Sequence, residues 1–170
     1  RWSFVHLQCE GADESNHDLL NDKRGGSVYL RLTTRRVPQL QRQIDSDFET
    51  KIIDGGYWLR PPAPGARLSI AYVGAVGPEA LSAHMAIINR FPGAGLLAVT
   101  SPDRLHRGWL AAQRQRQTTP NGPESAIERL LAPLETSSQI VTVVDGHPSI
   151  LSWIGAVYGH PVRALGVERY

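Results

Sequence analysis

The run Ile140-Val141-Thr142-Val143-Val144, followed directly by Asp145-Gly146-His147-Pro148, constrains the fold more than any other stretch of the chain. It shows no alternation of apolar and polar residues, so neither face of the strand is expected to meet water. A short continuous apolar run that ends in turn residues is typical of a strand buried on both faces, as in parallel sheets. Asp145 and His147 then lie just beyond the carboxyl end of this strand, where open α/β sheets bind their ligands.

The second half of the chain alternates between apolar runs of strand length and segments with helical periodicity. This alternation predicts an α/β fold with a mostly parallel sheet and right-handed crossovers. The predicted strands cover 68–73, 96–100, 140–144 and 161–167, and the predicted helices cover 78–90, 102–117, 123–133 and 149–159.

The spacing of apolar residues predicts which face each helix buries. The residues expected to face inward are Leu81, Met85 and Ile88 in the first helix, Leu105, Trp109 and Ala112 in the second, and Ile127, Leu130 and Leu131 in the third. Ser101 and Pro102 are expected to open the second helix, as its N-cap and its first-turn proline.

The first third of the chain has a different character. Residues 27–34 alternate apolar and polar side chains and predict a half-exposed strand. Residues 35–48 are polar and rich in Gln and Arg, which favours a linker, with a short helix at 38–44. A short strand is predicted at 57–60, and the prolines within 61–64 then impose an extended crossing.

Composition narrows the class of protein. The chain has 18 Lys and Arg against 16 Asp and Glu, a net charge of +2, and its arginine clusters are short, which favours a solvated surface over a nucleic-acid partner. Cys9 is the only cysteine, so neither an internal disulfide nor a cysteine metal cluster can form, and a reducing cytoplasmic setting is predicted. No apolar run approaches the roughly 18 residues that span a membrane.

The ends of the chain are unusual for a complete protein. It starts at Arg1 without a methionine and stops at Tyr170, within what the pattern indicates is a strand exit. We interpret the chain as a fragment of a longer protein.

Two turns are candidates for chemistry. The turn Gly74–Pro78 joins a strand to a helix, the context of phosphate binding at a helix N-terminus, but it lacks the G-x-G-x-x-G pattern and is also explained as a tight turn. Asp145 and His147 offer an acid and an imidazole and are the only catalytic candidates. Because no nucleophile is evident nearby, a structural role is favoured, in which Asp145 hydrogen-bonds the turn or caps the next helix and His147 is partly exposed.

Several short sequence segments, called phrases below, occur together in an order that resembles the C-terminal part of the transketolase-like thiamine diphosphate enzymes. The most similar branch is the homodimeric, decarboxylating component of the pyruvate dehydrogenase complex. The resemblance covers the chain from about residue 25 to its end. It is carried by the phrases at 25–35 (GGSVYLRLTTR), 55–61 (GGYWLRP), 96–109 (LLAVTSPDRLHRGW), 143–148 (VVDGHP) and 165–168 (LGVE).

The resemblance implies a domain organisation. Residues 1–36 would be the end of a pyrimidine-binding domain, 37–66 a linker, and 67–170 a truncated transketolase-like C-terminal domain. That domain is a three-layer sandwich, with a five-stranded mostly parallel sheet and helices on both faces. Chains of this family continue beyond the last strand into a Gly-rich loop and a final helix.

The resemblance also implies a function for the parent protein. The parent would be a thiamine diphosphate-dependent 2-oxo acid dehydrogenase, or a transketolase-like enzyme, that uses thiamine diphosphate and Mg²⁺ and acts as a homodimer, with an acyltransferase component of a multienzyme complex as a further partner. The G-D-G…N signature and the activating glutamate of the family are absent from this chain. We therefore expect it to contribute scaffold and to hold no catalytic, cofactor-binding or metal-binding residue.

A second class of function stays open. The same fold could serve as a regulatory or interaction module that binds a small anion or a partner loop at the carboxyl edge of the sheet, through Gly74, Ser101, Asp145 and His147. A flavodoxin-like cofactor domain is disfavoured, because the chain has no phosphate-binding loop.

Overall fold

Five strands form one sheet in the computed structural model, which describes residues 37–38, 44–119 and 122–168. Their order across the sheet is β1-β3-β2-β4-β5, in which β1 runs antiparallel to β3 and the other four strands are parallel. The predicted α/β fold with a mostly parallel sheet is confirmed. The strands are β1 (Gly56–Arg60), β2 (Leu68–Val73), β3 (Gly95–Val99), β4 (Gln139–Val144) and β5 (Val162–Leu165).

The helices lie between the strands much as the pattern predicts. A 3₁₀ turn at Gly74–Val76 precedes α2, and a second 3₁₀ turn at Trp153–Val157 follows α5. The predicted helix at 149–159 is therefore a single α-helical turn that continues as 3₁₀. The helices are α1 (Ser46–Asp54), α2 (Gly77–Ile87), α3 (Pro102–Thr118), α4 (Ala126–Leu131) and α5 (Ser149–Ser152).

One face of the sheet carries the main core. In-register pairing places Ala71 between Leu97 and Thr142, so these three side chains share a face. The predicted inner face of α3 packs there, as do α4 and the segment that runs from α5 into the 3₁₀ turn. The buried core consists of Ala71, Leu97, Val99, Leu105, Trp109, Ile127, Leu131, Leu134, Ile140, Val144, Leu151 and Ile154.

The opposite face is covered by α2, which packs on β2 and β3. The prediction for its inner face is wrong: Ala80 and His84 are buried, whereas Met85 is 60% exposed and Leu81 and Ile88 are only partly buried. The buried stripe is set by contact with the sheet, and the ring of His84 fits there because its Nε2 lies 2.7 Å from the carbonyl oxygen of Ala94. A polar residue therefore occupies an inward position that the apolar spacing assigns to its neighbour.

The strand β4 is buried on one face only, which corrects the prediction that neither face meets water. Ile140, Thr142 and Val144 are buried, but Val141 and Val143 are partly exposed. Val141 and Val143 lie on the same face of the sheet as α2, because Val141 pairs with Ile70 and Val143 with Tyr72. The helix α2 covers that face only over β2 and β3. The apolar run of β4 thus continues onto a surface that the helix α2 leaves open.

Residues 46–60, which lie within the predicted linker at 37–66, contribute a helix and a strand to the fold. Asp45 caps α1 by accepting from the backbone N–H of Phe48 (2.8 Å), and Ile52 is buried. The predicted strand at 57–60 is confirmed as β1, but it is an integral edge strand paired with β3. Trp58 ties it to the core, because its Nε1 donates to the carbonyl oxygen of Leu130 at 2.8 Å.

Two predictions lie outside the described residues. The half-exposed strand at 27–34 lies in none of the three described ranges, and the short helix at 38–44 falls largely on residues 39–43, which the structure does not describe. Within the described residues, no helix combines the length and apolar character that crossing a membrane requires.

The difference between the two faces of the sheet gives a first prediction. Leu97→Ala removes a side chain that is 1% exposed and should lower the free energy of unfolding by about 2–5 kcal/mol. Met85→Ala removes a side chain of similar size from an exposed position and should change it by less than about 0.5 kcal/mol. Urea unfolding of both variants provides the test. Equal losses of unfolding free energy in the two variants would indicate that Met85 is buried in the core, which would contradict the observed orientation of α2.

Candidate functional site

The exits of β2 and β4 meet at the carboxyl edge of the sheet. Val73 pairs with Val144, so Gly74 and Asp145, which follow them, begin adjacent turns. Gly74 has a left-handed φ of 79°, and a Cβ atom placed on it would lie 3.9 Å from the Cβ atom of Asp145. The structure thus brings two of the predicted edge residues together, with the Asp145 side chain exposed.

His147 is exposed on the same turn and is held by the start of α5. Its Nδ1 lies 2.7 Å from the Oγ of Ser149, and the backbone N–H of Ser149 donates to the same Nδ1 at 3.2 Å. Because a backbone N–H can only donate, Nδ1 accepts, and the proton of the neutral ring lies on Nε2. The imidazole of His147 therefore accepts from a backbone N–H in the first turn of α5, whereas the N-cap position itself is occupied by Pro148, whose side chain forms no capping bond.

The chain beyond β5 closes over this turn. The backbone N–H of Val167 donates to the carbonyl oxygen of Gly146 at 2.8 Å. A Cβ atom on Gly166 would collide with that same oxygen and would lie 2.9 Å from the backbone nitrogen of Pro148. Residues 166–168 thus border the Asp145–His147 turn and fix its backbone.

Ser101 has a different role from the other edge residues. It is buried, and its Oγ accepts a long hydrogen bond from the backbone N–H of Arg104 (3.4 Å), which confirms its prediction as the N-cap of α3. Its own backbone N–H donates to the carbonyl oxygen of Gly55 (3.1 Å). Ser101 therefore serves the junction of α1 with α3, and its hydroxyl is committed there.

The edge site offers modest chemistry. It presents the exposed carboxylate of Asp145 and the Nε2–H donor of His147. Sequence reasoning missed Ser149, whose hydroxyl lies within hydrogen-bond distance of the imidazole. The Nδ1 lone pair is already shared between the hydroxyl and the backbone N–H of Ser149, which suits positioning of the ring better than proton abstraction from serine.

Possible ligands of Mg²⁺ do not cluster in the described part of the chain. Within residues 37–38, 44–119 and 122–168, no three His, Cys, Asp or Glu side chains are grouped as ligands of a metal ion would be. These ranges therefore present no donor set of that kind for Mg²⁺.

A partly buried ion pair joins α3 to α4, and sequence reasoning missed it. Arg116 of α3 and Glu128 of α4 form two hydrogen bonds, of 2.5 and 3.2 Å, and Glu128 is only 6% exposed. Glu128 also accepts from the backbone N–H and the hydroxyl of Ser125, both at 2.7 Å. The spacing Ser125-x-x-Glu128 is that of a capping box and could have revealed part of this arrangement.

The environment shifts the protonation of this cluster. Burial raises the pKa of Glu128, but the hydrogen bonds from Arg116 and Ser125 outweigh it, so the pKa lies below the ordinary glutamate value. The hydrogen bond to Glu128 raises the pKa of Arg116. Burial, together with the charges of Glu124 and Glu128, raises the pKa of Tyr158, which directly follows the 3₁₀ turn Trp153–Val157.

Comparison of the chain with protein-family models and with curated proteins finds no match.

The close contact between Gly166 and the carbonyl of Gly146 gives a second prediction. Gly166→Ala forces a Cβ atom against the Gly146 carbonyl and should destabilise the fold by about 1–3 kcal/mol and shift the NMR resonances of His147. Gly108→Ala is the matched control, because nothing lies within 4 Å of its added Cβ atom in the exposed part of α3. That change should stabilise the protein by up to about 1 kcal/mol. If Gly166→Ala leaves both the stability of the fold and the His147 resonances unchanged, the close contact between Gly166 and the Gly146 carbonyl is contradicted.

The ion pair gives a third prediction. Glu128→Gln keeps the shape of the side chain but removes its charge, and should cost about 1.5–3 kcal/mol of unfolding free energy at neutral pH. Because the folded-state pKa of Glu128 is depressed, its contribution is fully present above the unfolded-state pKa and is lost as the pH falls through the folded-state value.

Urea unfolding at about pH 7 and about pH 3 should therefore give a difference between wild type and Glu128→Gln that shrinks in acid. The control is Glu124→Gln, which changes an exposed carboxylate in the same loop region. A difference that stays constant across this range would show that the charge of Glu128 contributes no stability.

Proposed function

We propose that the chain is the C-terminal part of a transketolase-like thiamine diphosphate enzyme, most similar to the homodimeric decarboxylating component of pyruvate dehydrogenase. Its domain would be of the transketolase C-terminal type. The role of this part would be structural, in holding the dimer and in docking an acyltransferase component. The same proposal includes a location of the protein in the cytoplasm.

The observation that carries the proposal is where the resembling phrases fall on the fold. Four of the five lie in the described residues, and each includes a strand end or a turn of the one sheet. The phrase at 55–61 forms β1 and begins with Gly55, whose φ of 112° ends α1. The phrase at 96–109 contains the Ser101 cap, and the phrases at 143–148 and 165–168 meet where Val167 donates to Gly146.

These positions make special physical demands on the residue type. A Cβ atom on Gly55 would lie 2.7 Å from Cγ of Leu105, and one on Gly166 would collide with the carbonyl of Gly146. The residues that carry the resemblance are therefore ones that the fold itself requires. This supports a shared fold for the domain, and through the fold a shared place in the parent enzyme.

A second support is the open part of the sheet. Beyond α2, the side chains of Val141 and Val143 are partly exposed, and Leu165 on β5, which pairs with Val143, is 42% exposed. Parallel sheets are covered on both faces in nearly all α/β proteins. The Gly-rich loop and final helix that the resemblance implies would supply a cover for apolar side chains of this kind.

In the parent enzyme, thiamine diphosphate would supply the electron sink for decarboxylation of a 2-oxo acid. The residues of this chain would support that chemistry indirectly, by building the sheet and the dimer. Asp145 and His147 stay outside the proposed chemistry, because the Nδ1 atom of His147 is bonded to Ser149 at the start of α5.

The test compares the natural protein that contains this sequence with the 170-residue chain. The natural protein should reduce a dye acceptor with pyruvate only when thiamine diphosphate and Mg²⁺ are both present, and the 170-residue chain should neither bind the cofactor in calorimetry nor turn over pyruvate. Turnover by the isolated chain would contradict the division of labour. Inactivity of the natural protein towards pyruvate, other 2-oxo acids and ketose phosphates would contradict the proposed assignment to this family.

The alternative function is a binding module at the carboxyl edge. The observation in its favour is that Gly74, Asp145 and the Nε2–H of His147 lie exposed on two adjacent turns. Saturable binding of inorganic phosphate to the 170-residue chain, abolished by His147→Ala and retained by Ser152→Ala, would favour this alternative.

A further inference from the structure

Little buried apolar surface anchors the strand β5 to the sheet. In the described part of the chain β5 is an edge strand that pairs with β4 alone. Leu165 at its end is 42% exposed, and Val167 just beyond it is also exposed. Of residues 160–168, only His160 is buried. Residues 160–168 are called the strap below.

The strand at the opposite edge of the sheet is anchored differently. Tyr57 and Leu59 of β1 are buried, and the indole N–H of Trp58 donates to a backbone carbonyl. Thr100, which follows β3 at this edge, donates through its hydroxyl to the carbonyl oxygen of Ile52 at 2.6 Å. An edge position alone therefore does not explain the weak anchoring of β5.

Buried polar atoms without hydrogen-bond partners concentrate at the strap. Among the described residues, four buried side-chain nitrogen or oxygen atoms have no partner, and three of them belong to His160 and Thr142. Both ring nitrogens of His160 are in this state, although the residue is only 5% exposed. Thr142 is completely buried on β4 and pairs with Ala164 of the strap, so its unpartnered hydroxyl lies beside β5.

These atoms disfavour the closed position of the strap. A polar atom that is buried without a partner has lost its hydrogen bonds to water and has gained none in return. The one buried residue of the strap is therefore buried at a cost, and the strand residue next to it on the sheet adds to that cost.

The far end of the strap borders the Asp145–His147 turn. The backbone N–H of Val167 donates to the carbonyl oxygen of Gly146 at 2.8 Å, and a Cβ atom on Gly166 would lie 2.9 Å from Cγ2 of Val144. Val144, the last residue of β4, is 3% exposed. Movement of the strap away from β4 would therefore expose Val144 and release the carbonyl of Gly146.

We propose that the strap opens as one unit ahead of the rest of the sheet and uncovers the Asp145–His147 turn. Opening returns the unpartnered atoms of His160 and Thr142 to water and gives up little apolar burial. Local openings that lose few apolar contacts have lower free energies than global unfolding. The strap thereby controls access to the carboxyl edge, and this role is independent of the thiamine enzyme assignment.

Two cysteine variants of the full 170-residue chain test the opening, each with Cys9→Ser so that a single thiol reports. Val144→Cys places the thiol beside the strap. Val99→Cys is the matched control, because Val99 is also 3% exposed and lies in the same row of the sheet, through the pairing of both residues with Val73. A thiol reagent under native conditions should modify Val144→Cys at least about tenfold faster than Val99→Cys.

A destabilising substitution in the core separates opening of the strap from global unfolding. Leu96→Ala removes a completely buried side chain on the face of β3 opposite to Val99. It should speed modification of Val99→Cys by about tenfold or more, because that thiol reacts only when the whole fold opens. It should leave the rate for Val144→Cys nearly unchanged, because the strap opens without the core.

Substitution of the unpartnered groups tests the cause of the opening. His160→Phe keeps a ring at the buried position but removes both nitrogens, and should slow modification of Val144→Cys by about tenfold. If His160→Phe does not fold, Thr142→Val decides, because it removes the unpartnered hydroxyl and should slow the same reaction. Thr100→Val is the control for that change and should not slow it, because the hydroxyl of Thr100 has a partner.

Three results would overturn the proposal. The first is an equal rate of modification for the two thiols. The second is an equal effect of Leu96→Ala on both thiols, because Val144 would then become accessible only through global unfolding. The third is a rate for Val144→Cys that the deciding variant, His160→Phe or in its place Thr142→Val, leaves unchanged.

Discussion

The whole fold depends on the complete burial of the strand β3. All five of its residues are buried, and it pairs with β1 on one side and β2 on the other. A strand of this kind has to be covered on both faces, and each face is covered by a different helix layer: α2 on one, and α3 with α4 on the other. The burial of Leu96 and Leu97 on opposite faces of β3 therefore accounts for the three layers, and the layers in turn set where the turns at the carboxyl edge lie.

How much of this could be predicted depends on whether the signal was local. The strand β2 and the helix α3 were predicted almost to the residue, because a continuous apolar run ends in glycine in the first case, and Ser101-Pro102 opens a regular apolar stripe in the second. The strand β4 has the same kind of apolar run as β2, yet Val141 and Val143 are partly exposed. The helix α2 covers β2 and β3 but does not extend over β4. The residue pattern within β4 cannot show how far a helix elsewhere in the chain extends over the sheet.

The candidate site shows the same limit. The turn after β4 was predictable as the place where Asp145 and His147 lie, but the hydrogen bond that His147 accepts requires the backbone N–H of Ser149 at a particular geometry. Met85 and His84 are a similar case, since apolar spacing favours the methionine, and only the carbonyl of Ala94 makes burial of the histidine acceptable. The pair of Arg116 and Glu128 was missed because the two residues lie on different helices, although the capping box at Ser125 is visible in the sequence.

The proposed function rests on the resemblance of phrases that include turns of this sheet, and the most direct test of that proposal is made on the natural protein. The measurement is its intact mass, together with the reading frame that encodes residues 1–170. The account predicts a much larger protein whose frame carries a G-D-G…N thiamine signature upstream of this sequence. A natural protein of about the mass of the chain itself, 18.7 kDa, without such a signature, would contradict it.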